Sequence, residues 1–231
     1  MLPSSTVENY LKAIYIGQTA RESDARLIPM GQVASALSVT PGTATTMVKA
    51  LAEAGLVEYE PYVGVALTVA GTRLASLVLR RHRLVELFLV QVMAMPWDEV
   101  HDDAEHLEHV VSDRLISRMD EMLGWPTHDP HGDPIPTAEG TVASHPHDTL
   151  LTCPPHVALR VTRVGDQDPA FLRFVEQHAM KPGQEVSVRQ RDAAADAVEL
   201  QAGDGRSVTI GTRAASKIFV AALNTADADH A

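Results

Sequence analysis

Residues 39–71 read VTPGTATTMVKALAEAGLVEYEPYVGVALTVAG, and this stretch decides how the N-terminal third of the chain folds. Thr40 can cap a helix, Pro41 suits the first helical position, and Gly55 is typical of a residue that ends a helix. Apolar residues recur at helical spacing between these signals, and apolar residues alternate around Gly64. The stretch therefore predicts a helix followed by a β-hairpin.

Two further helices are predicted upstream. Residues 5–18 carry apolar side chains at helical spacing, and residues 29–38 form a short helix. This order of helices and hairpin makes a winged helix-turn-helix, in which the N-terminal part of the second helix of the motif enters the major groove of DNA. The candidate DNA-binding residues are therefore Thr40, Pro41, Gly42, Thr43, Thr45, Thr46 and Lys49.

The charge of this segment fits DNA binding poorly. The formal net charge of the chain is −11, and residues 1–72 carry four Lys or Arg against six Asp or Glu. Negative charge repels the phosphate backbone, although a bound divalent cation would add positive charge. A winged helix that contacts only other proteins therefore stays open as an alternative.

Cysteine and hydropathy patterns restrict the class of protein. The single cysteine, Cys153, excludes internal disulfides and cysteine-rich zinc modules, and it fits a reducing cytoplasm. No apolar run approaches the roughly 20 residues of a membrane span, and residues 1–20 lack the pattern of a signal peptide. We therefore expect a cytoplasmic protein with no membrane partner.

Residues 100–113 read VHDDAEHLEHVVSD, in which acidic residues and histidines are concentrated. At about 100° per helical residue, His101, Glu105, Glu108 and His109 share one face. The stretch has no Lys or Arg, so its carboxylates repel each other unless a cation neutralises them. The stretch therefore predicts either a solvated acidic face or a metal site.

The remaining chain divides into helical, proline-rich and β-rich segments. We predict longer helical segments at 72–95 and 98–123, and the many Pro and His residues of 126–156 indicate an extended linker. From about residue 157, short β-rich segments surround one helix at 169–179. This pattern predicts a small β-barrel with a helical insert.

Five stretches in order along residues 8–136 resemble the diphtheria toxin repressor family of metal-dependent repressors, which includes iron-dependent and manganese transport regulators. They are ENYLKAIY, MVKALAEAGLVEYEPYVGVALTVAG, RRHRLVELFL, VHDDAEHLEHVVSD and DPHGDPIP. The β-rich end resembles the family's third, SH3-like domain more loosely. The resemblance implies a homodimer that binds Mn(II) or Fe(II), then a palindromic operator in double-stranded DNA, and so represses metal-uptake genes.

The resemblance also implies a mainly α fold with a β-rich end. We predict a winged helix-turn-helix DNA-binding domain at 1–72 and a helical metal-binding and dimerisation domain at 73–140. A linker at 141–156 and a C-terminal SH3-like small β-barrel at 157–224 follow. Metal would act allosterically, by fixing the winged domain against the dimerisation helices.

A primary metal site in the family takes one ligand from the first helix and three from the acidic helix. The three match Glu105, Glu108 and His109 in this sequence. The first-helix position is Asn9, whose carbonyl oxygen is a weaker ligand than a carboxylate. The neighbouring Glu8 points about 100° away from it. The first-helix ligand, Asn9 or Glu8, therefore stays open.

A second family site matches His82 and Glu86, which are spaced i,i+4, together with His101. The third domain also adds ligands in the family, for which Asp166 and Asp168 are candidates, although either carboxylate can instead cap the helix at 169–179. The histidines of the proline-rich segment are interpreted as linker residues and not as ligands: His128, His131, His145, His147 and His156.

The residue types at these positions bear on the metal. Iron-type members carry a cysteine where Glu105 stands, and an oxygen and imidazole set without a thiolate suits Mn(II), with Fe(II) as the alternative. Other divalent transition metals, such as Co, Ni, Cu or Zn, are expected to bind in vitro. Lys12 stands where some manganese regulators carry a carboxylate that supports a two-metal cluster, which argues against that cluster here.

No catalytic motif emerges, and we expect no enzyme. The stretch HLEH is not the HExxH of zinc proteases, and neither a Ser-His-Asp nor a Cys-His arrangement stands out. A metal-independent winged-helix regulator that senses an organic molecule remains an alternative. Operator binding that ignores a chelator would favour it.

Overall fold

The computed structural model describes residues 4–19, 26–142 and 148–223. The chain divides into two units, and the helical segment predicted as residues 73–140 contributes to both, so the predicted domain boundaries stay predictions. The first unit is Met1–Val85, Glu105–Arg118 and Ile135–Val142, and the second is Glu86–Ala104, Met119–Pro134 and Ala143–Ala231.

The first unit contains the winged helix-turn-helix, which confirms this part of the prediction. The Thr40 hydroxyl oxygen accepts a hydrogen bond from the Thr43 N–H at 3.2 Å, and Pro41 is the first helical residue. The two hairpin strands are antiparallel, with Val57 opposite Leu67. In chain order the elements are α1 Ser5–Thr19, α2 Met30–Ala36, α3 Pro41–Glu53, β1 Val57–Glu60 and β2 Gly64–Leu67.

Gly64 is needed where the hairpin approaches the chain before α2. Ile28 and Val65 exchange two backbone hydrogen bonds of 2.9 Å, and a Cβ on Gly64 would lie 2.3 Å from the Ile28 carbonyl oxygen. Ile28 and Val65 are buried in one core with Leu11 and Ile14 of α1. This core fixes the rotation of α1, and so the direction of its polar residues.

Three helices follow the hairpin: α4 Val69–Gln91, α5 Val100–Leu107 and α6 Asp113–Met122. The single helix predicted at 98–123 is wrong, because the helix stops at Leu107 and a new one begins after Ser112. Ser112 accepts hydrogen bonds from the Leu115 N–H with its hydroxyl and from the Ile116 N–H with its carbonyl, as an N-cap does. Among the described helices, none is long and apolar enough to cross a membrane.

The second unit contains the elements β3 Leu159–Val164, α7 Pro169–Gln177, β4 Glu185–Asp192, β5 Ala197–Ala202, β6 Ser207–Gly211, α8 Thr212–Ala215 and β7 Ile218–Ala222. Its five strands form an antiparallel sheet in the order β6-β5-β4-β3-β7. The predicted SH3-like β-rich domain is confirmed, but the sheet does not close into the predicted small β-barrel. Strand β6 continues directly into the short helix α8, and β7 then pairs with β3 and forms the opposite edge of the sheet.

The linker predicted at 141–156 is wrong from residue 148 onward. Thr149 forms an isolated β-bridge with Phe219, and Leu150 and Cys153 are fully buried in the core beneath the sheet. Two apolar side chains between the prolines anchor this segment, and the proline and histidine content concealed them. Residues 143–147, with His145 and His147, lie outside the described part of the chain.

Candidate metal centres

A cluster of polar side chains, here called the first cluster, lies within the first unit. Glu8, Asn9 and Lys12 come from α1, and Glu8 and Lys12 are buried on one face because they are one turn apart. The other members come from later elements. They are His82 of α4, Glu105 of α5, and Glu108 and His109 of the turn after α5.

Glu108 is the most enclosed member of the first cluster, and its side chain is completely buried. The Lys12 ammonium donates to its two oxygens at 2.7 and 2.9 Å, and His82 Nδ1 lies 2.7 Å from Oε2. Donor atoms of His82, Glu105 and Glu108 all lie within 4.8 Å of one another. A buried carboxylate needs such partners, because its charge is costly to remove from water.

Glu8 and His109 form the other half of the first cluster. His109 Nδ1 lies 2.6 Å from Glu8 Oε2, and Arg81 donates to the same carboxylate at 3.4 Å. A carboxylate that holds one imidazole nitrogen orients the other nitrogen as a ligand. His109 Nε2 is buried 3.4 Å from Glu108 Oε1. Glu8 is therefore positioned to orient the His109 ring.

Two buried atoms of the first cluster have no hydrogen-bond partner among the described residues. They are Asn9 Oδ1 and His109 Nε2. An orphaned buried polar atom costs about 1–3 kcal/mol, and both atoms are metal ligands in their ordinary chemistry. Together with two carboxylates, they make a donor set that fits a hard divalent cation.

A second cluster lies within the second unit and consists of Glu86, His101, Asp129 and His131. His101 Nδ1 lies 3.2 Å from Glu86 Oε1, and His131 Nδ1 lies 3.7 Å from Glu86 Oε2. Donor atoms of Glu86, Asp129 and His131 lie within 4.8 Å of one another, and all three residues are buried. Two carboxylates and imidazoles in this arrangement also fit a divalent cation.

The loop DPHG shapes the second cluster. Asp129 accepts hydrogen bonds from the His131 and Asp133 N–H groups at 2.8 and 2.9 Å. The His131 ring stacks on Trp97 with centroids 5.4 Å apart, and its Nε2 lies 3.0 Å from the Trp97 carbonyl oxygen. Gly132 has φ +85°, and a Cβ there would lie 2.0 Å from the Thr162 carbonyl oxygen.

The pKa of the buried His131 is shifted by the charged groups around it. Burial alone would lower its pKa, but the Glu86 carboxylate 3.7 Å from Nδ1 and the negative charge of Asp129 outweigh burial and raise the pKa above its ordinary value. Since a ligating imidazole must be neutral, metal binding at His131 competes with its protonation.

The predicted ligands divide between the clusters. Glu105 and Glu108 have donor atoms near each other, and His109 Nε2 lies 3.4 Å from Glu108 Oε1. Glu86 pairs with His101 in the second unit. His82 lies one turn before Glu86 in α4, and its ring bonds Glu108. These assignments as ligands stay predictions.

Sequence reasoning missed two members of the second cluster, because Asp129 and His131 were interpreted as linker residues. His131 is fully buried, so the linker interpretation is wrong for it. The glycine after His131, which the tight turn requires, was the available signal.

The two predicted ligands of the third domain have other roles in the structure. Asp168 caps α7, because its carboxylate accepts the Phe171 N–H at 2.9 Å. Asp166 pairs with Lys217. Burial would raise the pKa of the Asp166 carboxyl, but Lys217 and the Asp168 N–H lower it overall. Within the described residues, neither carboxylate joins a group of potential metal donors.

Helix α3 presents the predicted DNA-binding residues as an exposed face. The Thr45 and Thr46 hydroxyls donate to the Pro41 and Gly42 carbonyl oxygens at 2.8 and 3.0 Å. Their lone pairs and methyl groups therefore remain for a partner. A threonine methyl can contact the methyl of thymine, and a hydroxyl oxygen can accept from a base edge.

Comparison with known proteins covers nearly the whole chain. Residues 3–65 match the model "Iron dependent repressor, N-terminal DNA binding domain", and residues 68–137 match "Iron dependent repressor, metal binding and dimerisation domain". Residues 149–222 match "FeoA domain".

Solved structures and curated relatives agree with these matches. A manganese-dependent transcriptional repressor in complex with manganese is 39% identical, with a TM-score of 0.85 over 94% of this chain and 100% of that one. The manganese regulator SloR is 33% identical, with a TM-score of 0.75 over 96% and 100%. The iron-dependent repressor IdeR of Mycobacterium leprae is 34% identical over 131 residues, which are 57% of this chain and 55% of that repressor.

Proposed function

Because the chain belongs to the diphtheria toxin repressor family of metal-dependent repressors, we propose that it represses metal-uptake genes in response to Mn(II). It acts as a homodimer on a palindromic operator in double-stranded DNA. Fe(II) is the alternative metal, and a metal-independent regulator is the more distant one. The family makes this chain a DNA-binding regulator and not an enzyme.

The observation that carries the choice of Mn(II) is the donor set of the first cluster. Glu105, Glu108, His109 and Asn9 offer carboxylate oxygens, an imidazole nitrogen and an amide oxygen, and no thiolate. The only cysteine, Cys153, is buried in the core of the second unit. Hard oxygen ligands suit Mn(II), whereas a thiolate favours softer ions. Two manganese-dependent relatives with solved structures support the same choice.

The residues of the first cluster link α1 of the winged domain to the turn after α5. His109 bonds Glu8 on α1, and Lys12 on α1 bonds Glu105 and Glu108. A bound divalent cation supplies positive charge and directional bonds to these carboxylates. Asn9, His109 and Glu108 would hold it, and α1 would thereby be fixed more rigidly to the turn. This gain is a coupling free energy, so DNA must tighten metal binding by the same factor.

Dimerisation has a candidate surface in the same unit. Val110 is 75% exposed and Leu115 of α6 is 54% exposed. A second copy of the chain would cover them. Two copies would present two α3 helices to successive major grooves, about one DNA turn apart.

The test is operator binding with controlled metal. DNA selected from a random pool by the Mn(II)-loaded protein is titrated with protein in EDTA, and then with Mn(II), Fe(II) under anaerobic conditions, and Zn(II). We expect binding to vanish in EDTA and to return with Mn(II). Zn(II) can restore it at a lower free concentration, because the general affinity order of divalent ions rises from Mn(II) through Fe(II) to Zn(II). Operator binding that needs no more free Mn(II) than free Fe(II) departs from that order and supports Mn(II). Binding that persists in EDTA would establish the metal-independent alternative.

A variant of α3 completes this test. Thr43→Ala with Thr46→Ala removes two exposed hydroxyls and methyls, and operator affinity should fall about tenfold or more, since one good base contact contributes about 1–3 kcal/mol. Metal uptake should be unchanged. Unaltered operator affinity in this variant would show that α3 does not contact the DNA. It would not contradict the assignment of the metal sites.

A further inference from the structure

The Lys12 side chain occupies a position in the first cluster that is lined by metal-donor residues. Its ammonium lies 2.5 Å from Glu105 Oε1 and 2.7 and 2.9 Å from the two oxygens of Glu108. An ammonium has three donors and no acceptor, and three oxygens surround this one. The side chain is only 8% exposed, so the charge is held inside the cluster.

We infer that Lys12 is a built-in cation that takes the place of a second divalent ion, so that the first cluster binds one ion. The inference rests on the proposed function, because it assumes that the remaining donors of the cluster hold a metal. It assigns to Lys12 a role in setting the number of ions.

The donors of the first cluster divide into two positions. Glu105, Glu108 and His82 have donor atoms within 4.8 Å of one another, and the Lys12 ammonium bonds both of these carboxylates. The orphaned Asn9 Oδ1 and His109 Nε2 bond none of the described residues, and His109 Nε2 lies 3.4 Å from Glu108 Oε1. Glu108 therefore bonds the Lys12 ammonium and also lies beside His109 Nε2, a potential ligand atom.

The charges agree with one additional ion. Glu8, Glu105, Glu108 and Asp113 bring four negative charges, and Lys12 and Arg81, which bond them, bring two positive ones. Two-metal centres place their ions roughly 3.5–4 Å apart with bridging ligands between them. A single positive charge on a tethered chain satisfies the same bridging carboxylate with less repulsion toward the neighbouring ion.

Counting ions in Lys12 variants tests the inference. The experiment uses the full chain with Glu86→Gln, which removes the carboxylate that both His101 and His131 approach in the second cluster, and measures Mn(II) by calorimetry and by electron paramagnetic resonance. The parent should bind one Mn(II) per subunit with an uncoupled signal. Lys12→Glu should bind two with the signal of an exchange-coupled pair, and Lys12→Met should also admit a second ion. Lys181→Met, which removes a lysine of the second unit, should leave the count at one.

The outcomes separate the inference from the proposed function. If the parent and Lys12→Glu both bind one ion, Lys12 does not stand in for a metal and the inference fails, while the proposed function survives. A parent that binds two coupled ions also overturns the inference. If the parent binds none and Lys12→Glu binds Mn(II), the proposed function fails and Lys12 remains the cation of the cluster. If Lys12 only stabilised the fold, replacing it would not produce the exchange-coupled signal of two neighbouring Mn(II) ions.

A measurement on the unaltered protein keeps the inference testable if the variants fail to fold. Lysine acetylation followed by mass spectrometry reports whether Lys12 stays enclosed. Lys12 should be acetylated slowly both in EDTA and with Mn(II), because it keeps its position when the metal binds, and the exposed Lys49 should react rapidly in both. Faster labelling of Lys12 on addition of Mn(II) would mean that the metal expels it, and the inference would be wrong.

Discussion

The two clusters solve the same electrostatic problem in different ways. Each buries carboxylates beside imidazoles, but the first cluster contains the ammonium of Lys12, whereas the second is built from two carboxylates and two imidazoles. In the second cluster the pKa of His131 is raised, and metal binding there competes with protonation of this imidazole. The first cluster therefore keeps its shape through a fixed charge, whereas the metal occupancy of the second should follow pH more closely.

The largest effect should come from Glu108, which joins both halves of the first cluster. Glu108→Gln keeps the shape of the side chain but removes the charge that bonds Lys12 and His82. We expect Mn(II)-dependent operator affinity to fall by about a hundredfold or more, because losing a ligand should cost at least as much metal affinity as the roughly 10–100-fold lost with a residue that only orients a ligand. Operator binding titrated with Mn(II) measures this loss.

An exposed carboxylate of α5 provides the control for Glu108, which lies in the turn after that helix. Asp103 lies on the exposed face of α5, and Asp103→Asn also removes one negative charge without touching the cluster. It should respond to Mn(II) as the unaltered protein does. An equal loss in the two variants would mean that the net negative charge of residues 100–109 matters and the first cluster does not.

The next effect should distinguish the second cluster from the first. His131→Ala removes a buried ligand of the second cluster and its stack on Trp97, so one Mn(II) per subunit should be lost on dialysis while the ion of the first cluster remains. The exposed His128 of the same loop offers a matched control, and His128→Ala should keep both ions. Mass spectrometry measures the number of Mn(II) ions that each subunit of the variants retains. Loss of both ions in His131→Ala would show that the two clusters do not bind metal independently.

A smaller effect is expected from His82, which the sequence assigned to the second site. Its ring bonds Glu108 at 2.7 Å, so His82→Ala should weaken the binding of Mn(II) in the first cluster. We expect about a tenfold loss of Mn(II) affinity there, the lower end of the 10–100-fold range for partners that orient a ligand. Calorimetry in the Glu86→Gln background isolates this loss. An unchanged affinity in that background would return His82 to the second site.

Local signals explain what the sequence predicted well. The cap at Thr40, the proline after it and the alternation around Gly64 act within a few residues, and α3 and the hairpin follow them. The candidate ligands Glu105, Glu108 and His109 could be proposed from the sequence because they lie within five residues of each other. The end of α5 at Leu107 was missed because the acidic pattern continues through the break and Ser112 starts a new helix.

Contacts between distant residues explain what the sequence could not give. The repulsion expected in residues 100–113 is relieved by Lys12, which lies 93 and 96 positions from Glu105 and Glu108. No pattern within either stretch indicates this pairing. His131 resembles an exposed linker histidine until Trp97 covers its ring. The open edge between β6 and β7 likewise depends on the position of α8, which a count of β-rich segments does not reveal.

The smallest effect tests whether Asp168, which precedes α7, is a helix cap or a metal ligand. Asp168 was predicted as a ligand or a helix cap, and in the structure it caps α7 by accepting the Phe171 N–H. Asp168→Ala should therefore lower the free energy of unfolding by about 1 kcal/mol, the usual contribution of an N-cap, with no change in bound Mn(II). Asp168→Ser removes the carboxylate and keeps a capping oxygen, so it should restore most of the stability. Thermal melts beside metal counts separate the two roles. A serine variant that folds normally but loses an ion would make Asp168 a ligand, and the second cluster would then extend to the start of α7.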